Sequence, residues 1–445
     1  MFTRRTMILA AAALPVVAGA DAWAVSRDGF VTVDGAGFRL GGRPYRFVGA
    51  NLWYGAWLGM EGADGDRARL GRELDALKAM GVTNLRVLGG SEDSPLKNSI
   101  KPAMRDRDGE NEALLRGLDV LLAEMGRRDM KAVIYLTNFW EWSGGMMTYL
   151  YWTNGGRYLD MNDPAHPWPA FPDFAAGFYS QAEAIALYHD HVRAVVGRVN
   201  TVTGGAHAQD PTIMAWQLAN EPRPGGTEAI AAANLPAYYR WIGETAALIR
   251  RLDPNHLVST GSEGLKGCIE QQACVVAAHA SPDIDYVTAH IWPQNWSWVD
   301  PDDLEATMPE AERLVGDYIM RHRAIARDLD KPLVIEEFGF PRDAGYRPGT
   351  PATLRDRFYE RIHAAVETDA REGGPLAGSN FWAWGGEGRP AHDDAAFHPG
   401  DAAFVGDPPH EPQGWYSVFD ADASTRALIR RHADEMARIT ARSAR

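Results

Sequence analysis

Cysteine is nearly absent: Cys268 and Cys274 are the only two in 445 residues. Two thiols cannot complete a four-ligand zinc site, and no histidine pair stands at metal spacing beside them. They would close a short disulfide loop in an oxidising compartment, or remain two free thiols. Long apolar runs are also missing. The one candidate, from Met7 to Ala20, is too short to span a bilayer and contains Pro15. Basic residues are outnumbered, 45 Lys and Arg against 59 Asp and Glu, for a formal charge of −14. The arginines are scattered among acids and form no basic stripe. That argues against nucleic acid or another polyanion as partner and leaves a neutral substrate open. No His-Glu-x-x-His and no G-x-S-x-G nucleophile elbow occurs, and His189 and His191, two apart on a helix, share no face. Neither a metal nor a cofactor is expected.

What is present begins with a leader. Thr3-Arg4-Arg5-Thr6-Met7-Ile8-Leu9 opens a twin-arginine-type segment, and Ala18-Gly19-Ala20 and Ala22-Trp23-Ala24 are both small-x-small cleavage sites. We assign 1–24 to an export signal. The mature chain is then periplasmic or secreted, with no membrane anchor after cleavage, and a monomer is expected. Residues 25–445 read as one domain.

A Gly-rich turn, Asp34-Gly35-Ala36-Gly37, between Phe30-Val31-Thr32-Val33 and Phe38-Arg39-Leu40 predicts a β-hairpin. Beyond it, apolar strands are expected at 46–51, 82–88, 131–137, 212–219, 256–260, 285–291, 332–338 and 377–384. Amphipathic helices are expected at 66–80, 110–129, 178–202, 235–252, 303–329, 351–370 and 423–443; Leu114, Leu118, Leu121 and Met125 mark the buried stripe of the second. Eight successive βα units predict an α/β fold, a single (β/α)8 TIM barrel. A doubly wound sheet is the alternative, but the first βα turn, Trp53-Tyr54-Gly55-Ala56-Trp57, lacks G-x-G-x-x-G. Long connections at 138–177 and 385–422 follow the third and eighth strands. They therefore belong on the C-terminal face, where barrels build active sites.

Tryptophan is plentiful, with 15 residues. Twelve of them, all but Trp23, Trp216 and Trp241, fall at strand C-terminal ends or in the loops that follow. Flat aromatic faces pack on the C–H faces of sugar rings, so a sugar-binding cleft is expected there. Two apolar strands end in acids: Trp216-Gln217-Leu218-Ala219-Asn220-Glu221-Pro222 in the fourth, and Val334-Ile335-Glu336-Glu337-Phe338-Gly339 in the seventh. A glutamate ending a buried strand is costly unless paired or used. These strands face one another across a barrel, so the two acids can converge on one glycosidic bond. Glycoside hydrolysis needs such a pair. Adjacent strand residues point to opposite faces, so only one of Glu336 and Glu337 is expected to point into the site.

Taken with Asn84-Leu85-Arg86-Val87, Asn138-Phe139-Trp140-Glu141-Trp142-Ser143-Gly144-Gly145-Met146, His290-Ile291-Trp292 and Asn380-Phe381-Trp382-Ala383-Trp384, these motifs span nearly the whole mature chain. The chain resembles glycoside hydrolase family 5, a family of retaining (β/α)8 glycosidases, and most closely its β-mannanase branch. The resemblance implies Glu221 as acid/base and Glu337 as nucleophile, with Glu336 meeting an arginine or an amide in the surrounding shell. It implies Arg86 holding Glu337 ionised, Asn220 on the sugar 2-hydroxyl, His290 near the acid/base, and Trp382 as floor under the sugar. Asn138, Trp140 and Trp53 join the expected substrate-binding set. Where the family usually has Tyr two residues after the histidine, this chain has Trp292, whose N–H donates with a different reach. Glu337 is expected to raise the pKa of Glu221. The implied activity is hydrolysis of β-1,4-mannosidic bonds in mannan, glucomannan or galactomannan by internal cuts. The alternatives are end-trimming, in which the 385–422 loop (Glu387 to Pro390, Asp393, Asp394) walls off the cleft, an endo-β-1,4-glucanase, or a non-catalytic carbohydrate-binding barrel.

Overall fold

The computed structural model describes residues 29–62, 65–398 and 400–443; the 1–24 leader assignment lies outside them. The chain opens with three short antiparallel strands, β1 (Val31–Asp34), β2 (Gly37–Leu40) and β3 (Arg43–Tyr45). The expected hairpin is there, with Gly35 at φ +55°, and a third strand extends it. Val31 and Phe38 turn inward against Phe47, Val133, Met214 and Tyr286, so this small sheet plugs one end of the barrel.

Eight parallel strands form the barrel sheet: β4 (Phe47–Asn51), β5 (Asn84–Leu88), β6 (Lys131–Tyr135), β7 (Ile213–Gln217), β8 (Leu257–Ser259), β9 (Val287–Ile291), β10 (Leu333–Phe338) and β11 (Leu376–Phe381). Pairing runs β8-β7-β6-β5-β4-β11-β10-β9. At the seam the ladder gives way to single bonds, Asp285 N–H to the Val258 carbonyl at 2.8 Å and His290 N–H to the Glu263 carbonyl at 3.1 Å. The fold is a (β/α)8 TIM barrel.

Around it run α1 (Gly55–Gly59), α2 (Arg67–Ala79), α3 (Glu112–Gly126), α4 (Gly145–Thr153), α5 (Ala170–Ala175), α6 (Ala182–Val196), α7 (Glu228–Leu252), α8 (Gln272–His279), α9 (Leu304–Asp328), α10 (Thr353–Arg371) and α11 (Ala423–Ser443). The α3 stripe of Leu114, Leu118, Leu121 and Met125 is buried, as its spacing requires. Helix α7 starts seven residues before the expected 235. Thr227 caps it by accepting from Ile230 N–H, and Pro236 is tolerated inside. The 138–177 connection is not an open loop, because α4 and α5 fold it down onto the barrel. The 385–422 connection is held at its ends by a two-stranded pair, β12 (Trp384–Gly386) with β13 (Val418–Phe419). No helix among the described residues is long and apolar enough to cross a membrane.

Candidate active site

At the C-terminal mouth lies a cavity of about 980 Å³. Eight of the twelve mouth tryptophans line it: Trp140, Trp142, Trp168, Trp292, Trp296, Trp298, Trp382 and Trp415. The others do not. Trp57, Trp152 and Trp384 pack elsewhere, and Trp53, expected to bind substrate, is 1% exposed. Its indole packs edge-on against Trp57, Trp142 and Phe404, and its N–H donates to the Gly406 carbonyl at 2.8 Å. Trp53 therefore pins the long loop after β11 instead of meeting a sugar.

Beyond β7 the chain is clamped on both sides. Asn220 N–H donates to the Thr137 carbonyl at 2.8 Å and Glu221 N–H to the Gly261 carbonyl at 2.9 Å. A side chain at Gly261 would strike the Ala219 carbonyl, so only glycine allows this approach. Glu221 is held at φ +50°, a conformation that a non-glycine residue keeps only when its surroundings impose it. The result is a carboxylate aimed into the cavity, as the barrel geometry predicts.

Glu337 reaches the same point from β10. One atom each of Glu221, His290 and Glu337 lies within 4.8 Å of the others. Arg86 on β5 donates through Nη1 to Glu337 Oε1 at 2.5 Å, through Nη2 to Asn220 Oδ1 at 2.7 Å and through Nε to Gln217 Oε1 at 2.7 Å. Trp292 Nε1 donates to Glu337 Oε2 at 3.2 Å, so the indole serves where the family usually has Tyr. His290 Nδ1 stands 2.6 Å from Glu221 Oε1 and 3.3 Å from Glu337 Oε2. Trp140 Nε1 donates to Glu221 Oε2 at 2.5 Å. These three residues are the one His/Asp/Glu group among the described residues close enough to ligate an ion. Their atoms are already engaged with one another, and the guanidinium against Glu337 opposes a second cation, so the group reads as proton-transfer machinery.

Trp382 lines the cavity 5.8 Å from Trp292, edge to face. Asn138 is fully buried behind the site and outside the cavity; its Oδ1 accepts from Asn220 Nδ2 at 3.1 Å, so it orients Asn220.

Of the two adjacent glutamates only Glu337 lines the cavity, as expected, but the alternation behind that expectation fails at Glu336. Strict alternation along β10 sends Leu333 and Ile335 outward and Val334 inward to the barrel core. A β-bulge between Ile335 and Glu337 breaks it: Ile335 pairs with Ala289 and Glu337 with His290, leaving Glu336 unmatched. Both carboxylates therefore point inward, Glu336 one layer deeper. It accepts from Gln217 Nε2 and lies 3.9 Å from Arg86 Nε.

The charge distribution also departs from expectation. Burial pushes Glu337 up to about 7, against the pull of His290 and Arg86. Burial acts on Glu221 in the same direction and is the largest single effect. The hydrogen bond and charge of His290, the charge of Arg223 and the Trp140 bond together exceed it, so its pKa is lowered, not raised. His290 is pushed up to about 10; burial opposes this, and the charge of Glu337 and the bond to Glu221 prevail. The three titrate as one unit: two carboxylates that share one proton into the neutral range around an imidazolium.

Sequence reasoning missed several cavity residues. Arg223 forms a fork with Glu263 at 2.5 and 2.8 Å and covers Trp140 and Trp168. Glu263 follows β8 without the apolar-run-then-acid signal that marked the other two. His410 and Glu411 come from the 385–422 loop, but not from the part singled out. Glu387 pairs with Arg72, and Asp393 with Arg347, both at the exposed surface. The wall is instead 408–415, arched around buried Asp407, which accepts from the N–H groups of Gly414 and Tyr416 at 2.7 and 2.6 Å. An ionisable pair inside Pro408-Pro409-His410-Glu411-Pro412 was the available signal.

A parallel barrel with two convergent glutamates at an indole-lined mouth defines a TIM-barrel glycosidase. The family described as GH family 5 beta-mannosidase-like matches residues 28–441. The chain belongs to glycoside hydrolase family 5 and is a glycosidase of its mannosidase and mannanase branch. It is 30% identical to a putative mannan endo-1,4-beta-mannosidase 9 of Oryza sativa subsp. japonica, over 85% of this chain and 87% of that protein. Its structure is similar to the glycoside hydrolase family 5 mannosidase of Rhizomucor miehei, at 35% identity and TM-score 0.85, covering 94% of this chain and all of the other. The endo-1,4-beta-mannanase of the same organism shares the fold at 24% identity, TM-score 0.66, with 92% and 99% covered.

Proposed function

We propose that the chain hydrolyses β-1,4-mannosidic bonds with retention of anomeric configuration. The observation that carries this is the approach of the Glu221 and Glu337 carboxylates to within 4.8 Å. Retaining pairs stand about 5–5.5 Å apart and inverting pairs about 6.5–9.5 Å, the extra room being for a water. Glu337, held by Arg86 and Trp292, attacks the anomeric carbon while Glu221 protonates the departing oxygen. The shared proton must be on Glu221 at that moment, and His290 Nδ1, touching both carboxylates, is its route. Once Glu337 is a glycosyl ester its charge is gone, and Glu221 ionises to draw a proton from water. Asn220 holds the 2-hydroxyl and Trp382 supports the ring. Mannan as substrate class is supported by the names of the relatives, including the Rhizomucor miehei mannosidase solved with mannosyl-fructose. NMR of the first-formed product tests the chemistry: β-mannose is expected before mutarotation, and α-mannose first would overturn retention. Hydrolysis of cello-oligosaccharides in preference to manno-oligosaccharides would overturn the substrate.

A second reading concerns where the cut falls. Internal cuts are the expectation from sequence. The wall formed by Pro408, His410, Glu411 and Trp415 beside the carboxylate pair favours trimming from chain ends. Glu411 Oε2, His410 Nδ1 and both carboxylate oxygens of Glu141 are buried with no partner among the described residues, as groups that await sugar hydroxyls would be. Galactomannan viscosity that falls slowly relative to released sugar supports end-trimming; a rapid fall supports internal cuts. Export is proposed from the leader alone, and the Cys268–Cys274 disulfide is consistent with an oxidising compartment. Fractionation of cells carrying the full chain tests it.

A further inference from the structure

Beneath the carboxylate pair lies a third buried carboxylate that the double displacement leaves without a task. The β10 bulge is built, not incidental: Asn51 on β4 donates through Nδ2 to the Glu336 carbonyl at 2.9 Å, and its Oδ1 accepts from Arg86 Nη1 at 3.3 Å. One side chain thus fixes both the bulge and the guanidinium. Glu336 Oε1 is taken by Gln217 Nε2, which also reaches Tyr286 Oη at 3.3 Å. Its Oε2 faces His290 Nε2 at 3.8 Å, and neither atom has a hydrogen-bond partner among the described residues. Two buried polar atoms of opposite tendency, facing one another across less than an ångström beyond bonding distance, are a pair poised to close.

We propose that Glu336 is a positioning residue that holds His290 as an imidazolium from below, so that Nδ1 presents a proton to Glu221 and Glu337 from above. The groups that face Glu336 agree on this. Arg86 from β5, at 3.9 Å, is shared with Glu337; Gln217 from β7 and Tyr286 ahead of β9 are neutral; His290 from β9 is the other basic side chain within 4 Å among the described residues. His279 on α8 also feels the Glu336 charge, but its ring is engaged by Val275 and Thr260. Removal of one negative charge at this distance weakens proton binding by His290 and by the carboxylate pair together.

The test compares wild type with Glu336→Gln, in which the amide is isosteric and uncharged. Histidine-selective NMR of the unliganded protein reads His290 directly. It is expected to stay charged past pH 8 in wild type and to lose its proton at least one pH unit lower in the variant. The basic limb of kcat/KM should move to lower pH by about one unit with KM little changed. A folded variant whose His290 titrates as in wild type overturns the proposal, as does a wild-type His290 that is neutral at pH 7. If the variant fails to fold, that wild-type titration still decides, with Glu336→Asp as the charge-retaining companion. The inference rests on the carboxylate-pair reading only for its rate arm. The imidazole titration needs no substrate, so failure of the mannoside reading and failure of this one are distinguishable.

Discussion

Trp292 shows how much one donor carries. Its N–H supports Glu337 Oε2 at 3.2 Å, the oxygen that Arg86 does not hold. Trp292→Phe keeps most of the ring and removes the bond. Loss of about 1.4 kcal/mol of support corresponds to a kcat about tenfold lower, with KM changed less, in steady-state assays on manno-oligosaccharides. The shared proton sets the pH profile. Catalysis needs one proton on the pair, and Glu337, at about 7, marks where the pair releases it. Activity should hold below that value and fall as pH rises through about 7, read as the basic limb of kcat/KM against pH. Removal of either carboxylate should be far more severe than loss of Trp292. Glu337→Ala is expected to lower kcat by at least a thousandfold while oligosaccharide binding, measured by calorimetry, is retained.

Among the elements, the arch after β11 matters most for substrate range. Asp407 is fully buried, and burial raises its pKa against the bonds from Ser417, Tyr416 and Gly414. Asp407→Ala would strand those donors at about 1–3 kcal/mol in stability and free the 408–415 wall. The expected outcome is a lower unfolding midpoint together with a faster fall in galactomannan viscosity per bond cut. A variant that loses stability but keeps its cutting pattern would show that the arch does not govern where the chain is cut. Strand and helix positions were legible because barrel elements are short, buried and regularly spaced. The arch was not, because an irregular segment takes its shape from distant partners: Trp53 donates to its Gly406 carbonyl across more than three hundred residues.

For the whole molecule, acid stability depends on ion pairs that join elements far apart. Asp119 on α3 is buried; hydrogen bonds from His207, Arg198 and Thr201 overcome its desolvation and hold its pKa well below the ordinary value. A depressed carboxylate stabilises the fold above its unfolded pKa of about 3.9, and that contribution is lost as pH falls further. Unfolding should therefore become easier below about pH 4. Asp119→Asn should cost about 3 kcal/mol at pH 7, because Arg198 and His207 lose a buried partner, and should flatten the acid limb. Urea unfolding at pH 7 and at about pH 2.5 checks both.

Periodicity and composition determined the barrel, the mouth of indoles and the presence of acids at the ends of two facing strands, because burial of apolar faces dictates strand and helix spacing wherever the elements are regular. The choice of Glu337 over Glu336 came from the family resemblance. Local rules could not predict the bulge that turns both Glu336 and Glu337 inward. That bulge is held by Asn51, a residue 285 positions away in the chain, and alternation along a single strand contains no information about such a partner. The same holds for the proton. A carboxylate's pKa depends on what folding brings beside it, and His290 at 2.6 Å from Glu221 reverses the order that the sequence suggested.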